Sequence, residues 1–315
     1  MDTPRTRLYR SGNLKRYTSV DQPRSSVAHR IAAFSDDLHS EFAPAAKLAA
    51  EAGLDGLAVR HVGGHNVQAL DEADVRAVRR TADEHGLAIS AVGSPYGRDF
   101  HLGDDAAQRR AETLLAQMVR FADLLGTPLI RIFALWIEGK DPLPLWADRP
   151  GTDLARVVEA LAPSVALAER AGVRLMLELE GASHAGTAAE AAELIRLVDS
   201  PALVLCWDIC NGWWSGEAPL PHGLDAVRVL PVVDVQTKDV KADPADPRRP
   251  LFDQVILGDG DLPYDRLLPE LVASGYDGWF TVERVYHPRK PEEHPRLQRD
   301  ALADVERLRS LVSLP

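Results

Sequence analysis

The chain has 315 residues and a mass of 34.5 kDa, which fits one large α/β barrel or two modest domains. Its net charge of −11 disfavours a broad phosphate-binding surface, and no apolar run approaches the roughly 18 residues of a membrane span. We therefore expect neither nucleic acid nor membrane as a partner. Cys206 and Cys210 are too few for a disulfide framework, so we predict a cytoplasmic protein with both thiols packed inside.

Residues 1–27 differ from the rest of the chain because they carry six Lys or Arg residues against two Asp residues. They lack the apolar core of a secretory signal. We predict a basic N-terminal arm over 1–27 and a single catalytic domain over 28–315. The arm is expected to lie on the acidic body or on a neighbouring subunit, and a homo-oligomer is the expected assembly.

From His29 onward, short apolar or β-branched runs alternate with longer amphipathic runs. The short runs predict eight strands, over residues 29–35, 56–62, 87–95, 128–137, 173–181, 202–208, 232–239 and 278–285. The longer runs predict helices within residues 42–53, 70–86, 104–126, 152–172, 187–199, 224–231, 257–275 and 296–312. Thr187 and Glu190 match a capping box, Thr152 or Asp153 caps the fourth helix, and Pro163 predicts a kink in it. Residues 240–256, rich in proline and charge, predict a loop.

This alternation favours a (β/α)8 TIM barrel over an open doubly wound sheet. A dinucleotide-binding half of such a sheet would carry G-x-G-x-x-G after its first strand, and the sequence has no such motif there. Active sites of TIM barrels lie at the carboxyl ends of the strands. Polar residues at those ends are therefore the candidates for function.

The fifth predicted strand ends in two carboxylates, Glu178 and Glu180, which share one face because side chains in a strand repeat every two residues. Spacing alone does not choose between them, and exposure at a strand end is an alternative explanation for both. Asp208 ends strand six, Gln236 lies on strand seven and Glu283 ends strand eight. Oxygen donors on four successive strands predict one divalent cation, with Mn²⁺ as the first choice and Mg²⁺ or Co²⁺ as alternatives.

Five short motifs occur in barrel order: Glu178-Leu179-Glu180, Asp208-Ile209-Cys210-Asn211, Gln236-Thr237-Lys238-Asp239, Leu257-Gly258-Asp259-Gly260 and Glu283. With GSPYGR at 93–98, they resemble the xylose-isomerase-like TIM-barrel family of sugar isomerases and epimerases. The resemblance covers roughly residues 29–312. Two positions depart from the family pattern: Glu180 stands where members often have His or Asn, and Gln236 where many have a His ligand. An amide oxygen still binds a metal, so the predicted site is retained.

The resemblance implies a metal-dependent isomerase or epimerase that acts on a small sugar or keto-sugar. In that chemistry Glu178, Asp208, Gln236 and Glu283 hold the cation, which stabilises an enediolate, while Glu178 and Glu283 act as the acid/base pair. The predicted substrate-binding residues are polar or aromatic groups at the strand ends and in the following loops: Arg60, His61, Ser94, Arg131, Glu180, His184, Asn211, Trp213 and Lys238.

Alternatives remain at this stage for residues and for function. His61 and His184 also fit solvated loop histidines, Trp213 also fits packing under its loop, and Arg131 also fits internal pairing with a carboxylate. The same site also fits a lyase or deglycosidase that performs β-elimination on a keto-glycoside, or a catalytically silent barrel that binds a sugar or a partner. The endonuclease branch of the family is a minor alternative, because the additional histidines of a three-zinc site do not occur at the matching strand ends.

Overall fold

The computed structural model describes residues 29–98, 100–137, 153–284 and 291–313, so the predicted arm over 1–27 lies outside the described residues. Eight strands form its centre: β1 (Arg30–Phe34), β2 (Gly56–Val59), β3 (Ala88–Val92), β4 (Leu129–Ile132), β5 (Arg174–Glu178), β6 (Leu203–Asp208), β7 (Val232–Thr237) and β8 (Trp279–Val282). They pair in parallel and close in the order β1-β8-β7-β6-β5-β4-β3-β2. The predicted TIM barrel is confirmed.

Helices alternate with the strands: α1 (Phe42–Glu51), α2 (Glu72–Glu84), α3 (Asp105–Leu125), α4 (Leu154–Ala171), α5 (Ala188–Val198), α6 (Leu224–Val227), α7 (Tyr264–Ala273) and α8 (His294–Val312). Shorter helical segments cover Ser35–Leu38, Val67–Ala69, Ile209–Trp214, Pro219–Gly223 and Pro291–Glu293. In the described part of the chain, no helix combines the length and apolar character that a bilayer crossing requires.

Side chains at the helix ends explain several boundaries. Thr187 and Glu190 form the predicted capping box at the start of α5. Asp153, one of the two predicted caps of α4, accepts a hydrogen bond from the amide of Arg156. Pro163 lies inside α4, and the helix continues past it. Local signals in the sequence therefore mark where these helices begin.

The prediction of a loop over 240–256 is wrong, because this stretch forms an antiparallel hairpin of Asp239–Asp243 with Asp246–Val255. We call this element the β7 hairpin, since it directly follows that strand. Its prolines and charges are tolerated because an isolated two-stranded hairpin has solvent-facing edges, where a missing amide donor costs little.

The second and fourth predicted strands are too long. β2 ends at Val59, and a small hairpin that pairs His61–Val62 with His65–Asn66 follows it. β4 ends at Ile132, although apolar residues continue beyond it. Leu135 adopts a positive φ of 61°, which interrupts the extended backbone that a longer strand needs.

Two apolar layers lie on opposite sides of the strands. Inside the barrel, one cluster contains Ala32, Ala91, Leu129, Met176, Val204, Cys206 and Trp279. Outside, the alternate strand residues, such as Leu175 and Leu177 of β5, pack against the helices in the main core. Each strand therefore sends every second side chain into the barrel, which aims its last inward residue at the carboxyl end.

Asp239 explains the glycine-rich motif after the β7 hairpin. Its carboxylate accepts hydrogen bonds from the amides of Val240, Gly258, Gly260 and Leu262, at 2.8–3.4 Å. A Cβ atom on Gly260 would lie only 1.9 Å from the Asp239 Oδ1 atom. The motif is thus a structural cradle for one buried carboxylate, and glycine is required where the loop comes closest.

Arg284 joins the end of β8 to the first and last parts of the barrel. Its guanidinium is 1% exposed and contacts Asp304 of α8, with 2.6 Å between Nε and Oδ2. Its amide donates to Asp37, which follows β1, at 2.7 Å. Asp304 also accepts from the amide of Leu257 at 2.8 Å. These contacts tie α8 to the place where the barrel closes.

Candidate active site

The alternation of side chains along β5 to β8 brings the four predicted metal ligands to one end of the barrel. Met176 belongs to the interior cluster, and Glu178, two residues later, shares its face. Asp208 ends β6, Gln236 lies within β7, and Glu283 directly follows β8. All four residues are at most 3% exposed, so the strands bury three carboxylates together.

One oxygen atom from each of Glu178, Asp208 and Glu283 lies within 4.8 Å of the other two. Glu178 Oε2 accepts hydrogen bonds from Gln236 Nε2 at 3.0 Å and from Arg131 Nη1 at 3.3 Å. The other amide atom, Gln236 Oε1, is buried and has no hydrogen-bond partner among the described residues. A buried acceptor without a partner is costly. Three carboxylates and this oxygen therefore make a donor set that fits a hard divalent cation.

Lys238, the first residue after β7, lies among the same carboxylates. Its ammonium group donates to Asp208 and, at 2.6 Å, to Glu283 Oε2. Its carbonyl oxygen accepts from the hydroxyl of Tyr264 at 2.8 Å, which fixes the backbone at this point. The side chain is 2% exposed. Lys238, which was predicted to bind substrate, is therefore in direct contact with two of the predicted metal ligands.

Arg60 holds the other oxygen of Glu283. Its Nη1 atom lies 2.6 Å from Glu283 Oε1, and its Nη2 atom lies 3.1 Å from both Asp36 Oδ2 and Asp37 Oδ1. The guanidinium also stacks over the ring of Phe34, 4.2 Å from its centroid. Arg60 was predicted to bind substrate. Its described contacts link the ends of β1, β2 and β8, and its role in substrate binding stays a prediction.

The electrostatics of the cluster follow from these contacts. Burial alone would raise the pKa of Glu283, but Lys238 and Arg60 outweigh it and lower this pKa to about 2. Burial raises the pKa of Asp208, and the attraction of Lys238 only partly opposes that shift. The two carboxyl groups that share the Lys238 ammonium therefore differ, because Glu283 has a second cation in Arg60 and Asp208 does not.

Arg131 and Ser94 form one wall of the site. Arg131 is 5% exposed, and besides Glu178 it donates to the carbonyl oxygens of Ser94 at 3.2 Å and Gly93 at 3.3 Å. The hydroxyl oxygen of Ser94 accepts a hydrogen bond from the amide of Tyr96 at 3.0 Å. Internal pairing of Arg131, the alternative raised from the sequence, is what the structure contains. The roles of both residues in substrate binding stay predictions.

The short helix after β6 separates two predicted residues. Asn211 donates from its amide group to the carbonyl of Leu179 at 2.6 Å, so it ties this helix to the end of β5. Trp213 packs into the main core and is 9% exposed. Its neighbour Trp214 is the one beside the site, since Lys238 Nζ lies 5.6 Å from its ring centroid. Substrate contact by Trp213 stays a prediction.

Three further predicted residues lie around the entrance. The ring of His61 is 36% exposed, with its Nδ1 atom 3.3 Å from Asp36 Oδ2. Glu180 follows β5, and its carboxylate accepts from the amide of Ala182 at 3.1 Å. Burial raises the pKa of Glu180, and the nearby charge of Glu178 adds to the shift. His184, half-buried, lies in the same turn. Their contacts with substrate also stay predictions.

The sequence places Asp36 and Asp37 at the end of the first strand without indicating a role for them, and it leaves Trp214, like Trp213, open between packing and lining a sugar pocket. The two aspartates directly follow β1, so the strand-end rule that selected Glu283 also points to them, but their partner Arg60 becomes visible only in the closed barrel. Trp214 had no distinguishing signal, because two adjacent tryptophans on a helix differ only in a rotation of about 100°.

Comparison with known proteins agrees with this geometry. Residues 46–310 match the family described as xylose isomerase-like TIM barrel. The chain belongs to this family. It is 25% identical over 248 residues to fructoselysine 3-epimerase of Shigella flexneri, which covers 75% of this chain and 83% of that protein. It is 26% identical over 166 residues to inosose dehydratase of Bacillus thuringiensis (strain Al Hakam), covering 48% of this chain and 55% of that protein.

A solved xylose isomerase-like TIM barrel protein from Mycobacterium smegmatis, in complex with magnesium, has the same fold. Its TM-score with this chain is 0.63 at 17% sequence identity, over 90% of this chain and 98% of that one. The family and the fold are therefore shown, and the curated relatives include a sugar epimerase and a dehydratase.

Proposed function

We propose that this protein is a metal-dependent isomerase or epimerase that moves a proton next to the carbonyl group of a small sugar or keto-sugar. The observation that carries the proposal is the buried cluster of Glu178, Asp208 and Glu283 at the carboxyl end of the barrel. The 25% identity of the chain with fructoselysine 3-epimerase supports the same reaction class.

Glu178, Asp208, Gln236 and Glu283 would hold the cation. Oxygen donors without imidazole or thiolate favour Mg²⁺ or Mn²⁺ over zinc. The buried, unpartnered Oε1 atom of Gln236 supports its inclusion in the ligand set. When bound, the ion would supply Lewis acidity to the carbonyl and hydroxyl oxygens of the substrate. The magnesium in the Mycobacterium smegmatis protein makes Mg²⁺ an ion to test beside Mn²⁺.

The two acid/base candidates have different surroundings. Glu178 contacts a single guanidinium at 3.3 Å, whereas both oxygens of Glu283 lie 2.6 Å from a cation. We assign proton removal to Glu178, the less restrained carboxylate. Glu283 is the other member of the acid/base pair, and the proton that returns to the opposite face would come from the Lys238 ammonium, which lies 2.6 Å from Glu283 Oε2. Lys238 donates hydrogen bonds toward the same space, where it stabilises negative charge on the substrate oxygens as the proton leaves.

Proton exchange in D₂O tests this assignment. The protein, incubated with Mn²⁺ or Mg²⁺, is mixed with a panel of ketoses and 3-keto-glycosides, and NMR follows the protons next to the carbonyl. We expect exchange in the wild type and a loss of about 100-fold or more in Glu178→Gln and Glu283→Gln. A wild type that exchanges no proton with any member of the panel would instead favour the silent binding barrel.

Metal analysis tests the ligand set separately. We expect about one Mn²⁺ or Mg²⁺ per wild-type chain after dialysis, and a large loss in Gln236→Ala. Gln117→Ala serves as the control, because that amide lies on the outer face of α3 and donates to the carbonyl of Gln68. If wild type and Gln236→Ala retain equal amounts, Gln236 is not a ligand.

A dehydratase or lyase that uses the same residues is the second candidate. The identity with inosose dehydratase favours it, as does Glu180, a carboxyl group at the entrance that can hand a proton to a leaving group. Elimination next to a ketone creates a conjugated carbonyl with strong ultraviolet absorption. Appearance of that absorption with a polyhydroxy ketone or a keto-glycoside, together with loss of a substituent, would decide for elimination over epimerisation.

A further inference from the structure

Two aromatic rings connect the catalytic cluster to the surface. Trp214 lies beside Lys238, with 5.6 Å between Nζ and the centroid of the indole. Phe252, on the β7 hairpin, packs on the same tryptophan with ring centroids 5.3 Å apart and planes tilted by 33°. Lys238 is buried, Trp214 is half-buried and Phe252 is 39% exposed. The two rings therefore lead outward from the buried charges.

The position of this pair is fixed by the backbone. The indole Nε1 of Trp214 donates to the carbonyl oxygen of Leu251 at 3.0 Å, which pins the β7 hairpin to the short helix after β6. Both segments directly follow strands that carry site residues, so both lie on the catalytic side of the barrel. The rings are thus held in place beside the site.

The exposure of Phe252 is unusual for its surroundings. Among the described residues, four large hydrophobic side chains are exposed by more than a third: Leu197, Val229, Leu251 and Phe252. Of these, Phe252 packs on Trp214, whereas the side chain of Leu251, the preceding residue of the same strand, points to the other face of the hairpin. An exposed aromatic ring beside a polar site marks a place for an apolar group of a ligand.

We propose that Trp214 and Phe252 form a subsite for an apolar ring attached to the substrate, so that the enzyme takes substituted sugars such as aryl glycosides. This inference rests on the proposed function. A sugar ring seated beside Lys238 reaches Trp214. Phe252 stands one ring further out, where it meets whatever is attached to the sugar. A free sugar offers hydroxyl groups and small C–H faces there, whereas an aryl group presents a full ring that stacks on Phe252.

Binding of matched glycosides tests the subsite on the full-length protein. Phenyl and methyl β-pyranosides of glucose, galactose and xylose are titrated by calorimetry, and saturation-transfer NMR maps which protons contact the protein. For at least one sugar, we expect the phenyl glycoside to bind about tenfold more tightly than the methyl glycoside, with the strongest transfer to the phenyl protons.

Three variants assign the preference to the ring pair. Phe252→Ala should reduce the phenyl-to-methyl affinity ratio to about one, whereas Phe252→Tyr, which keeps a ring, should preserve it. Leu197→Ala, an equally exposed apolar residue on α5, should leave the ratio unchanged. Absence of a phenyl preference in every wild-type pair, or a preference that survives Phe252→Ala, overturns the subsite.

Sedimentation velocity examines the other occupant of such a patch, a second copy of the chain. If Phe252→Ala lowers the oligomeric mass and leaves the affinity ratio unchanged, the patch is an assembly surface and the subsite is overturned. The proton-exchange assay keeps the two proposals apart. A phenyl preference without proton exchange in any substrate would support the subsite and contradict the epimerase proposal. Proton exchange without a phenyl preference would support the epimerase proposal and contradict the subsite.

Discussion

At the scale of single residues, the site is a set of carboxylates separated by buried cations. Arg60 and Lys238 each hold one oxygen of Glu283, and Arg131 approaches Glu178. Such pairs contribute little net stability when they are formed from solvated ions, but a partner left alone in the interior is costly. The cations therefore make it possible to keep three acids close together.

Replacement of Arg60 by methionine should be strongly destabilising. The change leaves Asp36 and Asp37 without the guanidinium that they share, in a position where Arg60 is only 8% exposed. We expect a loss of about 3–5 kcal/mol in the free energy of unfolding, measured by urea denaturation. Arg76→Met breaks a solvated pair with Glu72 and should cost less than about 0.5 kcal/mol. Equal costs in both variants would contradict the argument.

The inward direction of Glu178, Asp208, Gln236 and Glu283 was predictable, because it depends only on the two-residue repeat of strands and on where each apolar run ends. The partners of the cations were not predictable. Arg60 and Glu283 are 223 residues apart in the chain and meet only because β1 pairs with both β2 and β8. Two interpretations of Arg131 remained open for the same reason.

At the scale of elements, buried carboxylates also organise loops and helix ends away from the chemistry. Asp239 gathers four amides of the loop after the β7 hairpin. Glu217 reaches the start of α5, where it accepts from the amides of Ala188 at 2.9 Å and Ala189 at 3.2 Å. Each carboxylate satisfies backbone donors that would otherwise be buried without partners.

Gly260→Ala should destabilise the fold more than a glycine replacement in open space. The new Cβ would displace Asp239, and that carboxylate is held by four amides, so hydrogen bonds must break for it to move. We expect the free energy of unfolding, measured by thermal denaturation, to fall by about 2–3 kcal/mol. Gly172→Ala is the comparison, because nothing lies within 4 Å of its Cβ and only its positive φ opposes alanine, at about 1 kcal/mol. A smaller loss at Gly260 than at Gly172 would disprove the cradle.

Glu217→Ala should weaken α5, because two amides in its first turn lose their acceptor. The capping box of Thr187 remains, so we expect a loss of about 1–2 kcal/mol, with faster hydrogen exchange in the first turn of the helix. Glu193→Ala, on the same helix, removes only a solvated pair with Arg196 and should change stability by less than about 0.5 kcal/mol. Unchanged exchange in Glu217→Ala would rule out this capping role.

Element type was predictable where periodicity and caps agreed, as in α5 with its Thr187–Glu190 box. The β7 hairpin was missed because Pro247, Pro250 and the charges around them disfavour a strand inside a sheet. They do not disfavour an isolated hairpin whose edges remain in solvent. The composition therefore indicated correctly that this segment is largely exposed, but the loop predicted from it was wrong, because the backbone forms a hairpin.

At the scale of the whole molecule, closure of the barrel depends on contacts between the two ends of the described chain. β1 pairs with β8, and Arg284 then connects Asp37 after β1 to Asp304 of α8. The last helix, α8, therefore stabilises the closure of the barrel through Asp304, in addition to packing its apolar face on the core. Loss of these contacts should lower the stability of the whole barrel, because all eight strands belong to one closed sheet.

Asp304→Ala should lower the stability of the whole barrel. It removes the main partner of Arg284, which is 1% exposed, and the acceptor of the Leu257 amide. We expect a loss of about 3 kcal/mol or more in urea denaturation, with amides of α8 and β8 exchanging faster. Asp225→Ala disrupts a solvated pair with Arg228 and is the control. A midpoint equal to that of the control would show that α8 contributes through apolar packing alone.

The β7 hairpin has a consequence for how new specificities arise in this protein. Its residues from Val240 to Gln254 leave the barrel and return without contributing any of the clustered carboxylates. Under the proposed subsite, changes in its length or in Phe252 would alter which substituents the entrance accepts, while Glu178, Asp208 and Glu283 stay on their own strands. Evolution or protein engineering could therefore replace this hairpin and change the substrate preference. The carboxylates on the barrel strands would stay in place.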